Sequence, residues 1–312
     1  ITSNSFQSKN LKDCLQTARE GKYALGHFNF STEDVLKGIV EAARDAGAPA
    51  VMVGTSEGEA EFFGVYEAVA LVAVVKKHYN FAVFLNADHF KSFDKCREAI
   101  DSGYDSVIID PAPNFSADRQ QRGRVWGGAS ESKMTFKDHM DITKNVVEYA
   151  KSAGGKTLVE GEIGYLRGSS EVQTKIEITS ADYTKPEEAK EFVEKTGVNQ
   201  LAVVFGNIHG IVTEQEEKLD IEHFKKIVTA VPDVFYVLHG ASGLKDSDVQ
   251  SAIKAGITNV HFNTELRVAY TEGLHKALHD KPGETTPYKY LKPGVEEMKK
   301  VVAAKVKIFM GK

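Results

Sequence analysis

Short runs of apolar, mostly β-branched residues alternate with helical patterns along almost the whole chain. Runs of this kind are typical of strands that are buried on both faces, as in a parallel sheet. We predict eight such strands, at residues 23–30, 50–53, 81–85, 106–110, 157–160, 201–205, 234–238 and 259–262.

Each run is followed by a segment whose apolar spacing predicts an amphipathic helix. Ser31 or Thr32 is the predicted N-cap of the first helix, since two acids follow directly. The helices are predicted up to residue 46, then at residues 64–79, 93–102, 136–153, 186–196, 221–230, 246–255 and 265–278. Eight strand–helix units over residues 1–312 favour a single (β/α)8 TIM barrel with one or two extra C-terminal helices. A doubly wound open sheet is the alternative.

Two connections are longer than the rest of the pattern requires. Residues 111–133 are polar and rich in glycine and arginine, and residues 165–180 follow the fifth predicted strand. Long loops in compact domains are usually functional or disordered. We therefore predict a loop insertion at about 111–133 and a mobile lid at about 165–180.

Composition excludes several classes of protein. The formal net charge is −5 without a block of basic residues, so a nucleic-acid partner is not expected. No apolar stretch of about 20 residues could span a membrane. The two cysteines, Cys14 and Cys96, are far apart, which argues against a disulfide framework and fits a reducing compartment. We expect a soluble, cytoplasmic protein.

Three histidines stand just beyond apolar runs, at the third, sixth and seventh predicted strand ends. They are His89, His209 and His239, and glycine follows the last two. Catalytic residues of α/β barrels lie at the carboxyl ends of the strands. Three neutral imidazoles delivered there would hold a divalent metal ion such as Zn²⁺ and leave a position for substrate.

Acidic residues accompany this group. Asp88 precedes His89 and could shuttle a proton beside the metal, although a helix cap is the alternative role. Glu160 and Glu162 share one face of the fifth strand by the two-residue period. Either could support a metal ligand by hydrogen bonding or bind the metal itself. A buried salt bridge is an equally good role for one of them.

The last two strand ends suit a phosphate group. Gly240 and Ser242 follow the seventh strand, and Asn263 and Thr264 follow the eighth. Small residues, hydroxyls and free backbone N–H groups at helix starts bind phosphate well. In (β/α)8 enzymes phosphate commonly binds after strands seven and eight. We predict a phosphate site here.

Taken together, these motifs resemble the class II, zinc-dependent ketose-bisphosphate aldolases, meaning the fructose-bisphosphate aldolases and their tagatose-bisphosphate relatives. The resemblance covers nearly the whole chain. It is found at residues 26–29, 54–58, 88–89, 160–164, 201–210, 238–244 and 263–267.

The resemblance implies an activity and a metal site. The reaction would be the reversible cleavage of fructose 1,6-bisphosphate to dihydroxyacetone phosphate and glyceraldehyde 3-phosphate, as in glycolysis and gluconeogenesis. One Zn²⁺ per subunit would be held by His89, His209 and His239, with Glu162 at an additional metal-binding position. Asp88 would handle the proton of the C4 hydroxyl. A sodium or potassium ion often assists at the phosphate site of this family.

The resemblance also implies where substrate binds. One phosphate would lie on Gly210, Gly240, Ser242, Asn263 and Thr264. Asn29 and Ser56 match positions near the substrate and its other phosphate. The resemblance further implies a homodimer or homotetramer.

Two departures from the family pattern bear on function. Ser169-Ser170 stands where the family's lid carries the acid that exchanges the C3 proton, and Glu171 follows one residue later. We predict that Glu171 takes this role. His261 stands where the family has an asparagine that contacts the dihydroxyacetone unit.

Other functions remain open at this point. Within the same chemistry, the alternatives are tagatose 1,6-bisphosphate or another phosphorylated ketose as substrate. The lid departure motivates a non-catalytic sugar-phosphate-binding protein. A scaffold barrel is disfavoured by the intact metal trio.

Overall fold

A computed structural model describes residues 10–111 and 134–312 of the chain. The strands within these ranges are β1 (Leu25–Asn29), β2 (Val51–Ser56), β3 (Val83–Phe90), β4 (Ser106–Ile109), β5 (Leu158–Ile163), β6 (Gly168–Gln173), β7 (Gln200–Val203), β8 (His209–Val212), β9 (Phe235–Leu238) and β10 (Ile257–His261).

All of these strands except β6 and β8 form a closed parallel barrel. The order around it is β1-β10-β9-β7-β5-β4-β3-β2, and the first and last strands also pair. The strands β6 and β8 form a separate two-stranded parallel sheet. The predicted (β/α)8 TIM barrel is therefore confirmed, and each predicted strand corresponds to one barrel strand.

The helices within the described ranges are α1 (Leu11–Gly21), α2 (Glu33–Asp45), α3 (Glu57–Phe63), α4 (Val65–Tyr79), α5 (Phe93–Ser102), α6 (Phe136–Ser152), α7 (Pro186–Thr196), α8 (Ile221–Ala230), α9 (Asp246–Ala255), α10 (Thr264–Asp280) and α11 (Pro287–Phe309). The last of these is the predicted C-terminal addition. None of the helices in residues 10–111 and 134–312 combines the length and apolar character needed to cross a bilayer.

Apolar side chains pack between the barrel and its surrounding helices, and a second apolar cluster covers the amino end of the barrel. The main core lies between the strands and the surrounding helices, and α11 contributes Phe309, whose ring lies near those of Phe28 and Phe262. A second cluster joins Leu11 and Leu15 of α1 to residues at the starts of barrel strands, including Leu25. The carboxyl ends of the strands are therefore the open end.

The structure differs from the predicted pattern in four places. Neither α1 nor α3 was predicted, and β3 continues to Phe90 because its pairing with β2 extends through Asp88. Within the predicted lid, Gly168–Gln173 pairs with β8 as strand β6. Most of the predicted loop insertion, residues 112–133, lies outside the described residues.

Candidate metal and sugar-phosphate site

The three histidines that the sequence singles out converge at the carboxyl end of the barrel. His89 lies near the end of β3, His239 directly follows β9, and His209 begins β8 after the loop that leaves β7. One ring nitrogen from each lies within 4.8 Å of the other two. Three imidazoles at this spacing suit a single divalent cation.

The backbone at His89 has an unusual conformation that aims its side chain. Its φ angle is +52°, in the left-handed region, which residues with a side chain seldom adopt. The pairing of β3 with β4 also shifts register between Ala87 and Phe90. Strained backbone and bulges of this kind cluster at functional sites, where they redirect a side chain.

Glu162 of β5 completes the histidine group. Its Oε2 lies 3.2 Å from Nδ1 of His239 and 3.5 Å from Nδ1 of His89. Both Glu162 Oε2 and His239 Nδ1 are buried, and neither has a hydrogen-bond partner among the described residues. Buried polar atoms are normally satisfied, so facing lone pairs without partners fit a cation between them. Imidazole nitrogens with one carboxylate are a donor set that zinc accepts.

The three histidines differ in their electrostatics: against the effect of burial, the carboxylates of Glu162 and Glu160 raise the pKa of His239 well above its ordinary value. Burial and the neighbouring His89 lower the pKa of His209 to about 4, so its imidazole is neutral with a free lone pair. Burial opposes a charge on His89, but Asp88 and a hydrogen bond to Asp110 outweigh it and raise the pKa of His89 to about 9. Metal binding at His89 would therefore release a proton.

Glu160 contacts the Nε2 atom of His239. Its Oε1 lies 2.8 Å from Nε2 of His239, and both side chains are almost completely buried. A carboxylate at this position fixes the tautomer and ring orientation of a ligating histidine, leaving Nδ1 for the metal. The two glutamates of β5 thus face opposite ring nitrogens of His239: Glu160 contacts Nε2 and Glu162 faces Nδ1.

Asp88 lies beside the trio within reach of the cavity. Its Oδ2 accepts a hydrogen bond of 2.8 Å from Nδ2 of Asn29, and its Oδ1 lies 3.4 Å from Nδ1 of His261. Burial alone would raise the pKa of Asp88, but the imidazoles of His89 and His261 hold it well below its usual range. The carboxyl group is therefore ionised at neutral pH and can accept a proton from a substrate hydroxyl.

Two further histidines, His261 and His27, stack against His239. The ring of His261 lies between those of His239 and His27, with centroid distances of 4.3 and 3.7 Å. Burial lowers the pKa of His261 to about 3, so the ring is uncharged. Both residues line the cavity, and the resemblance places His261 where the family has an asparagine that contacts the dihydroxyacetone unit. Their place in the stack depends on pairing between β1 and β10, which a sequence pattern does not reveal.

The predicted site residues, except Glu162 and Glu171, line one cavity of about 200 Å³. Gly210 and Gly240 have positive φ angles of +91° and +65°. A Cβ atom on Gly240 would lie 1.8 Å from the carbonyl oxygen of Ile208, and one on Gly210 would lie 2.2 Å from that of Ser169. Glycine is therefore required at both positions for the backbone to approach so closely.

Hydroxyl and backbone groups follow the last two barrel strands in the same cavity. Ser242, Asn263, Thr264 and Arg267 line it together, and α10 begins at Thr264. The N–H groups in the first turn of a helix have no partners within that helix, and the helix dipole adds partial positive charge there. We call Gly240, Ser242, Asn263, Thr264 and Arg267 the β9–β10 cradle.

Strand β6 contacts this cradle through Ser170. The Ser170 hydroxyl lies 3.1 Å from that of Thr264, and Arg267 donates to the Ser170 hydroxyl at 2.8 Å and to its carbonyl. Ser170 lines the cavity, whereas Glu171 is exposed and is not among the residues that line it. As described, the structure therefore brings Ser170, and not Glu171, to the site.

Glu59 is a cavity residue that the sequence analysis missed. It lies on α3 and contacts Asn29 and Ser56, two of the predicted substrate residues. Burial raises its pKa. The sequence did contain a signal for this helix, because Ser56 and Glu59 form a capping box, Ser-x-x-Glu, at its start.

The chain is similar to known proteins along almost its whole length. The family model for class II fructose-bisphosphate aldolase matches residues 9–312. A fructose-bisphosphate aldolase of Staphylococcus epidermidis is 33% identical over 305 residues, covering 96% of each chain. One of Geobacillus stearothermophilus is 32% identical over the same length, also covering 96% of each chain. The chain belongs to the class II fructose-bisphosphate aldolase family, whose members are aldehyde-lyases.

Solved structures share the fold. The YdjI aldolase from Escherichia coli K12 superimposes with a TM-score of 0.73 at 25% identity, covering 96% of each chain. A fructose-bisphosphate aldolase from Campylobacter jejuni gives a TM-score of 0.74 at 19% identity, covering 96% of this chain and 93% of the other. The second likeness supports the barrel fold only.

Proposed function

We propose that this protein catalyses the metal-dependent, reversible aldol cleavage of a ketose that carries a phosphate on C1. The products would be dihydroxyacetone phosphate and an aldehyde. The observation that supports this most strongly is the placement of Asp88, the histidine trio and the β9–β10 cradle around one cavity. Fructose 1,6-bisphosphate, the substrate named for the relatives, is one candidate substrate, and tagatose 1,6-bisphosphate or another phosphorylated ketose is the alternative.

His89, His209 and His239 would hold one divalent cation, with Glu162 as a further ligand. The family resemblance favours Zn²⁺. A bound divalent cation would supply Lewis-acid stabilisation of the negative charge that develops on the substrate carbonyl oxygen. Glu160 would keep His239 in the tautomer that offers Nδ1.

Asp88 would act on the C4 hydroxyl. Its carboxylate takes the hydroxyl proton while the C3–C4 bond breaks, so that C4 becomes the aldehyde carbon and the bonding electron pair remains with the C1–C3 fragment. Proton return to C3 then gives dihydroxyacetone phosphate. Asn29 orients Asp88 through its hydrogen bond to Oδ2.

Glu171 is the proposed donor of that C3 proton. Because Glu171 is exposed and does not line the cavity, this role requires β6 to leave its contact with Arg267 and bring Glu171 to the substrate. Gly168, at the start of β6, has a φ angle of +91° and gives the lid a conformationally permissive position for such a turn.

The β9–β10 cradle and Gly210 would bind the C1 phosphate. Backbone N–H groups, hydroxyls and the Arg267 guanidinium are the donors that phosphate prefers. A sodium or potassium ion at this site, a homodimer or homotetramer, and a cytoplasmic location remain predictions from the sequence.

The inward-facing Ser170 favours a second candidate, a protein that binds a sugar phosphate without cleaving it. Transfer of the C3 proton separates the two functions. With metal-loaded protein in heavy water, we expect NMR to show exchange of one C3 proton of dihydroxyacetone phosphate, abolished by a chelator. Binding of dihydroxyacetone phosphate without exchange would favour the binding protein.

A further inference from the structure

A second group of donors lies at the ends of β1 and β2, and the carboxylate of Glu59 occupies it. Oε2 of Glu59 accepts hydrogen bonds from the backbone N–H of Ser56 at 2.8 Å, the Ser56 hydroxyl at 2.8 Å and Nδ2 of Asn29 at 2.9 Å. Its Oε1 lies 3.3 Å from the Ser31 hydroxyl. We call Asn29, Ser31 and Ser56 the β1–β2 donors.

The position of Glu59 is fixed by the local fold. Ser56 is the N-cap of α3, and Glu59 is its third helical residue, so the two form a reciprocal capping box. Both side chains line the cavity. Donors that could otherwise bind an anionic group of a substrate are thus satisfied by the protein's own carboxylate.

The charges of the described residues that line the cavity favour a single phosphate. Among the described residues that line it, Arg267 is the only lysine or arginine, and it belongs to the β9–β10 cradle. The β1–β2 donors instead lie beside two acids, Glu59 and Asp88, which Asn29 bridges through its Nδ2 atom. An anionic group placed near Asn29 and Ser56 would meet like charges and donors that are already occupied.

We infer that the substrate carries a phosphate on C1 only, and that its other end bears uncharged hydroxyl groups recognised next to Glu59. This inference rests on the proposed function. A carboxylate accepts hydrogen bonds from sugar hydroxyls, whereas its repulsion of a second phosphate discriminates against a bisphosphate. Ketose 1-phosphates would therefore be preferred over ketose 1,6-bisphosphates.

Calorimetric binding to the metal-loaded, full-length protein tests this, because it does not require fast turnover. The probes are fructose 1-phosphate and fructose 1,6-bisphosphate, with the matching tagatose pair in parallel. For at least one pair we expect the 1-phosphate to bind at least about tenfold more tightly than the bisphosphate. Preference for the bisphosphate, or no preference, in both pairs would overturn the inference.

Substitutions of Glu59 supply the second arm of the test. Glu59→Ala should shift the affinity ratio toward the bisphosphate by at least about tenfold, because it frees the β1–β2 donors and removes a like charge. Glu59→Gln keeps the side-chain size in case the alanine variant does not fold, and it should shift the ratio in the same direction. Glu61→Ala, an exposed acid on the same helix, should leave the ratio unchanged. An unchanged ratio in folded Glu59 variants would also overturn the inference.

Exchange of the C3 proton of dihydroxyacetone phosphate separates this inference from the proposed function. Metal-dependent exchange combined with preferred binding of bisphosphates would leave the aldolase chemistry standing and reject the role of Glu59. Loss of exchange in the metal-loaded wild-type protein would reject the aldolase chemistry itself.

Discussion

Nε2 of His239 lies 2.8 Å from Oε1 of Glu160, whose side chain is fully buried in the barrel. Glu162, two residues further along β5, faces the other ring nitrogen of the same histidine at 3.2 Å. Residues two apart on a strand share a face, so one strand places a carboxylate at each ring nitrogen of His239. In the proposed function, Glu160 would support this histidine and Glu162 would be a further metal ligand.

Replacement of Glu160 should weaken metal binding without removing a ligand. We expect Glu160→Gln to lower the affinity for Zn²⁺ by about 10–100-fold, because a neutral amide supports the His239 imidazole less strongly than a carboxylate does. Competition with a metal chelator measures this. Glu61→Gln, an exposed acid on α3, is the control, and equal affinities in the two variants would show that Glu160 plays no part.

Removal of a trio histidine should abolish the metal site. His209→Ala leaves two imidazoles, and we expect the purified protein to lose bound metal together with metal-dependent activity. His275→Ala, which removes an exposed histidine of α10, is the matched control. Elemental analysis and activity measured together are decisive: full metal content in His209→Ala would mean that the trio is wrongly assigned.

Asp88 should be needed for proton transfer and not for metal binding. We expect Asp88→Asn to retain metal and to lower kcat by about 10²–10⁴-fold, the range for loss of a general base. The change keeps the side-chain shape and removes the acceptor of the hydroxyl proton. Steady-state kinetics with metal analysis check it, and a kcat within a few-fold of the wild type would contradict the assigned role.

Substitutions of Glu171 and of its neighbour Ser170 should affect exchange of the C3 proton differently. Glu171→Ala should slow exchange of the C3 proton of dihydroxyacetone phosphate at least about 100-fold while leaving its dissociation constant nearly unchanged. Ser170→Ala removes the hydroxyl contacts to Thr264 and Arg267 but no acid, so exchange should continue. If both variants exchange at the wild-type rate, the base is another group.

A buried acid outside the metal group predicts how stability changes with pH. Glu217 is 5% exposed, and burial raises its pKa from 4.5 to about 8. Between these values the unfolded chain releases a proton that the folded chain retains, so the folded state is progressively destabilised as pH rises, and the effect levels off above about pH 8. Glu217→Gln should therefore raise Tm little at pH 4 and increasingly up to about pH 8. Scanning calorimetry across this range checks the trend, which a pH-independent difference would contradict.

The sequence predicted the barrel because its signal is local and repeated. Buried parallel strands are short and apolar, and the helices between them have strong periodicity, so the eight units could be recognised one by one. The positions of His89, His209 and His239 followed from a general rule, that barrel chemistry lies at the strand ends. Neither inference required knowledge of a side-chain contact.

What the sequence analysis did not find depends on the pairing of distant segments or on weak local signals. The stack of His261 between His239 and His27 requires β1, β10 and β9 to be neighbours. Ser170 lies in the cavity through contacts with Thr264 and Arg267, about 95 residues away in sequence, which no local periodicity indicates. Glu59 was missed although the capping box Ser56-x-x-Glu59 was visible, because a helix of seven residues gives little periodicity.

The most direct test of the account is release of dihydroxyacetone phosphate from ketose phosphates by the purified protein, with and without a strong chelator. The panel would contain fructose and tagatose as 1-phosphates and as 1,6-bisphosphates. We predict that the zinc-loaded protein cleaves at least one of them and that chelation abolishes the cleavage, which added zinc restores. Cleavage that is insensitive to the chelator, or no cleavage and no exchange of the C3 proton in zinc-loaded protein, would contradict the account.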